Sequence, residues 1–258
     1  VAGSLAIVAL LGACGHAPVD GSSSGNGSSS DEASPQKRAQ TRLELASGYF
    51  ARGQTDTALD ELKQAMALDP NNADAYNLRG LIYGSMGEPG LAEQSFKRAL
   101  ELAPNNGDTL HNYGWFLCQQ RRFPEAQAEF AQALAQPQYR AQVRTLLAQG
   151  VCEARAQQWN EAEHTLLKAY ELDPRSPVTA ANLAEVLYHE GQYERARFYI
   201  GRVNGNPEQR NAQTLWLAAR IEHKLGNASA MDEFGRLLHE KYPQAPETLA
   251  FDQRHFDE

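Results

Sequence analysis

The sequence predicts an all-α protein, a right-handed superhelical solenoid of about six antiparallel helix pairs, and three observations predict it. The first is a period: Ala58, Ala92, Ala126, Ala162 and Ala196 recur at intervals of 34, 34, 36 and 34 residues. The second is a shared frame. Each alanine is followed four places later by a bulky residue (Leu62, Phe96, Phe130, Leu166, Ile200) and three places further by a small or β-branched one (Ala65, Ala99, Ala133, Ala169, Val203). The third is punctuation, since Asp69-Pro70-Asn71-Asn72, Ala103-Pro104-Asn105-Asn106 and Asp173-Pro174-Arg175-Ser176 stop the chain in the same register. Two helices approach closely only where side chains are small, and larger residues then fill the gap to the next pair. Between the breaks the windows are rich in Ala, Leu, Glu, Gln and Arg, which favour helix, and no run of alternating β-branched residues competes.

From the N-terminus, residues 1–13 read as a lipoprotein signal peptide. Leu5–Leu11 is a short apolar core, too short for a permanent membrane span, and Leu11-Gly12-Ala13-Cys14 has the small residues that suit a peptidase pocket. That tetrapeptide resembles the bacterial lipobox, which implies acylation of Cys14. No basic residue precedes the apolar core and the chain opens on Val1, read here as a truncated or alternatively started form. Gly15, rather than Asp, follows the cysteine, and by the lipoprotein sorting rule this implies the outer membrane. Residues 14–37 are the lipidated cysteine and a flexible tether of Ser, Gly and Asn, whose reach is on the order of 25 Å.

The helix pairs then occupy 38–244, with repeats near 39–72, 73–106, 107–142, 143–176, 177–211 and 212–244. The second window is the fullest, with Tyr76, Gly80, Tyr83, Gly87, Ala92, Phe96, Ala99 and Pro104, and it resembles the tetratricopeptide repeat with Tyr in place of the leading Trp. Leu110, Gly114 and Leu117 take the same places in the third, and Leu146 and Gly150 in the fourth. The first (Leu45, Ala46, Tyr49) and fifth (Leu183, Ala184, Leu187) are looser. The sixth runs through Leu215, Ala219, Gly226, Leu238 and Pro243, with Met231 where the alanine should stand. End repeats are atypical because one face meets water. Residues 245–258 form a C-terminal cap or tail.

Composition narrows function. A net charge of -8 with no basic stripe argues against nucleic acid or anionic lipid as the main partner. Five of the seven histidines, His111, His164, His189, His223 and His239, are scattered over different repeats without metal-ligand spacing, and neither HExxH nor CxxC occurs. No catalytic residue, metal site, cofactor or small-molecule substrate is therefore expected, and the chain reads as a monomeric protein-binding scaffold. With Cys14 lipidated, Cys118 and Cys152 remain, in first helices of neighbouring repeats that a solenoid stacks side by side. In an oxidising compartment they are expected to be joined; two buried free thiols are the alternative, because a bridge needs α-carbons within about 7 Å while helix axes lie about 8 to 10 Å apart.

First helices line the concave surface of such arrays. The expected partner-binding groove comprises Leu43, Ser47 and Phe50 of the first repeat, Asn77, Leu81 and Ser85 of the second, and His111 and Trp115 of the third. As a set they suit an amphipathic or extended peptide with hydrophobic anchors, although each could equally be core between repeats. Leu43 stands where the carboxylate clamp of chaperone-tail binders has a lysine, which disfavours that ligand class.

The run Leu110-His111-Asn112-Tyr113-Gly114-Trp115-Phe116-Leu117-Cys118, the later Gly150-Val151-Cys152, and the lipobox ahead of a Ser/Gly tether resemble the type IV pilus biogenesis and stability lipoproteins, the PilF/PilW pilotins. The resemblance implies a six-repeat, non-enzymatic outer-membrane lipoprotein facing the periplasm, which supports localisation or assembly of the secretin through which the pilus emerges. It implies lipid on Cys14, a disulfide between Cys118 and Cys152, and secretin contact through the apolar face of the first repeats. One rival is another envelope scaffold of the same fold, serving β-barrel assembly, cell-wall synthesis or division; the other is an enzyme or an enzyme-activating subunit in which the repeats position a substrate.

Overall fold

The computed structural model describes residues 34–256, which form six antiparallel helix pairs and a short closing helix. The pairs are α1 (Pro35–Ala51) with α2 (Thr55–Leu68), α3 (Ala73–Ser85) with α4 (Pro89–Leu102), and α5 (Gly107–Gln119) with α6 (Phe123–Leu134). They continue as α7 (Gln142–Arg155) with α8 (Trp159–Leu172), α9 (Pro177–His189) with α10 (Tyr193–Asn204), and α11 (Ala212–Lys224) with α12 (Ala228–Lys241), before α13 (Pro246–Asp252). No strand occurs among the described residues, and none of their helices is long and apolar enough to cross a membrane. The expected signal peptide, Cys14 and most of the expected tether lie outside the described residues. α1 begins at Pro35, inside the last positions assigned to the tether, because Ser34 caps it by accepting from the Lys37 amide and Pro35 suits the first turn.

Caps and turns repeat with the period. Asn72, Asn106, Ser176 and Asn211 each accept an amide three residues on, at the start of α3, α5, α9 and α11. Within a pair, the turn needs one residue in the left-handed region. Glycine supplies it at Gly53, Gly87, Gly191 and Gly226, while Arg121 and Gln157 take the same conformation in the third and fourth pairs.

The period in alanine and glycine is a packing code. Gly80, Gly114 and Gly150 of the first helices each lie against the bulky residue of their partner helix; an added β-carbon would come within 2.7 Å of Phe96, 2.9 Å of Phe130 and 2.6 Å of Leu166. Those three side chains are fully buried, as are the repeat alanines. The core consequently runs as linked clusters along the solenoid, and its last member holds Met231 with Ala219 and Phe256, so the sixth pair closes without the signature alanine.

Successive odd-numbered helices touch one another, whereas no even-numbered helix reaches the next even-numbered one among the described residues. The odd helices therefore form the inner, concave wall and the even ones the outer wall. Cys118 of α5 and Cys152 of α7 are joined by a disulfide, with α-carbons 5.8 Å apart, across the boundary between the third and fourth pairs. The two extra residues of the 36-residue interval lie in the segment between α6 and α7, from which Tyr139 folds inward over Gly107. Its hydroxyl sits 2.7 Å from the Thr145 hydroxyl.

Candidate functional site

The concave wall owes its usable surface to helix geometry: residues three, four and seven apart on one helix share a face. On α3 that face carries Asn77, Leu81 and Ser85, and on α5 it carries Asn112, Trp115, Phe116 and Gln119. The two faces bound a cavity of about 230 Å³ lined by Leu81, Ser85, Asn112, Trp115, Phe116 and Gln119, with Gly80, Gly84 and Phe96 at its base. Glycines at the base bring the α4 ring of Phe96 up to the floor, so the bottom of the cavity is apolar.

Polar groups ring this apolar floor. Asn112 Nδ2 donates to Asn77 Oδ1 at 3.1 Å, tying α5 to α3 with one donor and one acceptor of the two amides. Ser85 donates to the Ile82 carbonyl at 2.7 Å. The Arg155 guanidinium of α7 lies 5.0 Å from the centre of the Trp115 ring, which fixes a cation beside the aromatic wall. The disulfide lies in the same stretch of wall, since Cys118 and Cys152 share a cluster with Phe116, against which Trp115 and Leu81 pack. The arrangement holds an apolar anchor, offers amide groups to a main chain and presents one fixed positive charge.

Two of the eight expected groove residues, Leu43 and His111, fall in the core. Leu43 is 7 % exposed and packs with Ala46, Leu62, Leu78 and Ile82, so it belongs to the core between the first two pairs. His111 is also 7 % exposed; its Nδ1 lies 2.9 Å from the Thr145 hydroxyl and its ring against Phe130. Burial, and then the positive charge of Arg144, lower its pKa from 6.5 to about 4, which keeps it neutral. Phe50 is half-buried against the first core cluster and Ser47 is exposed, and neither lines the cavity. Asn77 is half-buried and acts through Asn112 rather than at the cavity itself. Leu81, Ser85 and Trp115 are brought together.

Asn112, Phe116, Gln119 and Arg155 were not expected there. The first three follow from Trp115 by helical spacing, whereas Arg155 reaches the site from the next repeat and only the stacking of α7 on α5 reveals it. A second network stiffens the outer side of the wall. Glu93 of α4 lies 2.8 Å from both Arg122 and Lys97 and accepts from the Tyr113 hydroxyl at 3.1 Å. The Arg122 and Lys97 cations hold its carboxyl at about 2, below the ordinary 4.5.

Family models described as TPR repeat or tetratricopeptide repeat match residues 47–87, 73–106, 95–128 and 117–177. The chain is 28 % identical over 209 residues to the type IV pilus assembly protein PilF of Pseudomonas aeruginosa, covering 81 % of this chain and 82 % of that one. Its structure is similar to the crystal structure of PilW, described as a widely conserved type IV pilus biogenesis factor. The TM-score is 0.78 at 30 % identity, over 82 % of this chain and 97 % of PilW. A solved structure of Pseudomonas aeruginosa PilF matches with TM-score 0.75 and 27 % identity over 85 % and 99 % of the two chains.

Proposed function

The chain belongs to the tetratricopeptide repeat family, among the PilF/PilW-like proteins of type IV pilus biogenesis, and from that premise we propose that it is a non-enzymatic adaptor of the pilus secretin. A pilus-related adaptor role is what its relatives support. The finer reading is a pilotin: Cys14 carries the lipid, the segment after it tethers the solenoid to the periplasmic face of the outer membrane, and the concave wall holds a secretin segment while the ring assembles. The observation that carries this reading is the apolar cavity between α3 and α5 with Leu81 and Trp115 on its walls.

The chemistry of that cavity describes the segment it suits. An aliphatic or aromatic side chain fits within the cavity of about 230 Å³, a main-chain amide pairs with the side chain of Asn112, and an acidic residue of the segment lies beside Arg155. No bond is made or broken, so the work is positional. The anchor confines the protein to one surface, and the groove raises the local concentration of secretin there.

Titration of the purified periplasmic region of the secretin against the protein tests this. Burying one apolar side chain contributes about 2 kcal/mol, so Leu81→Glu is expected to weaken binding about thirtyfold or more while the helical circular dichroism is kept. Unchanged affinity in that variant would remove the cavity from the proposal.

A further inference from the structure

The end of the chain does not leave the solenoid at α13. That helix stacks on α11 and α12 in the place a seventh first helix would take, and Arg254 then turns the backbone with a φ of +57°. Residues 253–256 consequently run back across α11 towards α9. Phe256 ends only 3 % exposed, stacked on the His223 ring at 4.6 Å between centres, 5.3 Å from Trp216 and 5.6 Å from Phe251. The Tyr188 hydroxyl of α9, 68 residues away in sequence, donates to the Phe256 carbonyl at 2.9 Å. The Arg220 guanidinium packs over the Tyr188 ring, 4.3 Å from its centre.

The wall that holds Phe256 is the concave one. Trp216 occupies in α11 the repeat place of Asn77 in α3, and His223 follows it by seven residues on the same helix face. Phe251 adds a second anchor over Gly235 of α12, where a β-carbon would come within 2.1 Å of the ring. The Asp252 carboxylate lies 2.9 Å from His239 Nε2, and the Thr248 hydroxyl donates to the Tyr242 carbonyl at 2.6 Å. One buried and one half-buried aromatic anchor and one captured main-chain carbonyl are how a groove holds a peptide, here supplied by the chain itself.

We infer that the concave wall of α9 and α11 is a second peptide-docking site, selective for a short segment bearing an aromatic residue, and that residues 251–256 hold it closed in cis. An external partner then meets the open wall of α3 to α7, and entry at the C-terminal end requires displacement of the strap. The inference does not depend on the secretin reading. A tethered segment competes at an effective concentration on the order of millimolar, so with an intrinsic strap Kd below about 100 μM any free segment should appear at least about tenfold weaker while the strap is in place.

The test uses a labelled peptide of residues 245–258, titrated by fluorescence anisotropy onto the full chain and onto Phe256→Ala. The expected result is binding to Phe256→Ala at least about tenfold tighter than to the unmodified chain, lost when the peptide carries alanine in place of Phe256. A folded Phe256→Ala protein that ignores the peptide overturns the inference, and so does an unmodified chain that binds it equally well. A second protein carries a protease site between Pro243 and Gln244 and is cut after folding. Exchange of its cut segment for the labelled peptide, with helicity retained, is expected; refusal to exchange, or unfolding as the segment leaves, makes the strap part of the core and overturns the site.

Discussion

Replacing Gly114 by alanine should destabilise the protein, and replacing Gly201 by alanine should stabilise it, although both glycines lie inside helices. At Gly114 a β-carbon would stand 2.9 Å from both Phe130 Cδ1 and Cε1 and 3.2 Å from the Ala126 carbonyl oxygen. Carbon atoms pack at about 3.5 to 4.0 Å, so the ring must move by roughly 0.5 to 1 Å. Phe130 is fully buried and has nowhere to go, and overpacking of this kind costs about 1 to 3 kcal/mol. Alanine favours helix over glycine by about 1 kcal/mol, which leaves a net loss of up to about 2 kcal/mol. At Gly201 nothing lies within 4 Å of the added carbon, so only the helix gain remains, about 0.5 to 1 kcal/mol. Urea unfolding followed by circular dichroism reads both signs, and amide hydrogen exchange on α5 and α6 localises the first, since repeat arrays need not unfold in one step. If Gly114→Ala stabilises as Gly201→Ala does, the recurring small residues do not set the helix spacing and the packing code is wrong.

Other expected outcomes follow from single contacts. The disulfide closes a loop of 34 residues, for which the chain-entropy relation gives about 4 kcal/mol, so the Cys118→Ser, Cys152→Ser double variant should lose about 2 to 4 kcal/mol in urea and become insensitive to reductant. His111 has a folded pKa of about 4 against an ordinary 6.5, so the unfolded chain binds more protons in that window and stability falls as the pH drops from 6.5 to 4. The loss amounts to about 2 to 3 kcal/mol, and a pH series of urea midpoints on His111→Gln should lack that part of the slope. Glu93 acts lower, because its depressed pKa contributes stability above pH 4.5 that is lost as the pH falls towards 2. Solvent screening reduces this to about 1 kcal/mol, and Glu93→Gln should remove that part of the acid slope.

The solenoid was legible because one constraint repeats: a small residue on one helix admits a large one from its partner, and the spacing survives in sequence. The Cys118 to Cys152 pairing was legible for the same reason, as stacking places consecutive first helices side by side. Side-chain direction within the groove was not. The repeat place of Leu43, Asn77 and His111 faces both the groove and the neighbouring helix, so an apolar leucine turns inward to Leu78 and Ile82 while an asparagine stays at the surface. His111 is drawn in by Thr145 and Tyr139, which the two-residue insertion positions, and a count of residues does not show where an insertion folds. Arg155 reaches Trp115 only through stacking of a different repeat. The C-terminal strap carries no period at all, and its place is set by the room at Gly235 and the Tyr188 hydroxyl.

The central claim, that the α3–α5 groove receives the pilus secretin, is tested most directly by affinity capture of the protein from detergent-solubilised envelope, beside a Leu81→Glu, Trp115→Ala variant, with mass spectrometry of what stays bound. The account predicts strong recovery of secretin with the unmodified groove and its loss with the variant. Recovery of barrel-assembly, cell-wall or division proteins without secretin, or equal recovery of secretin by both proteins, would contradict it.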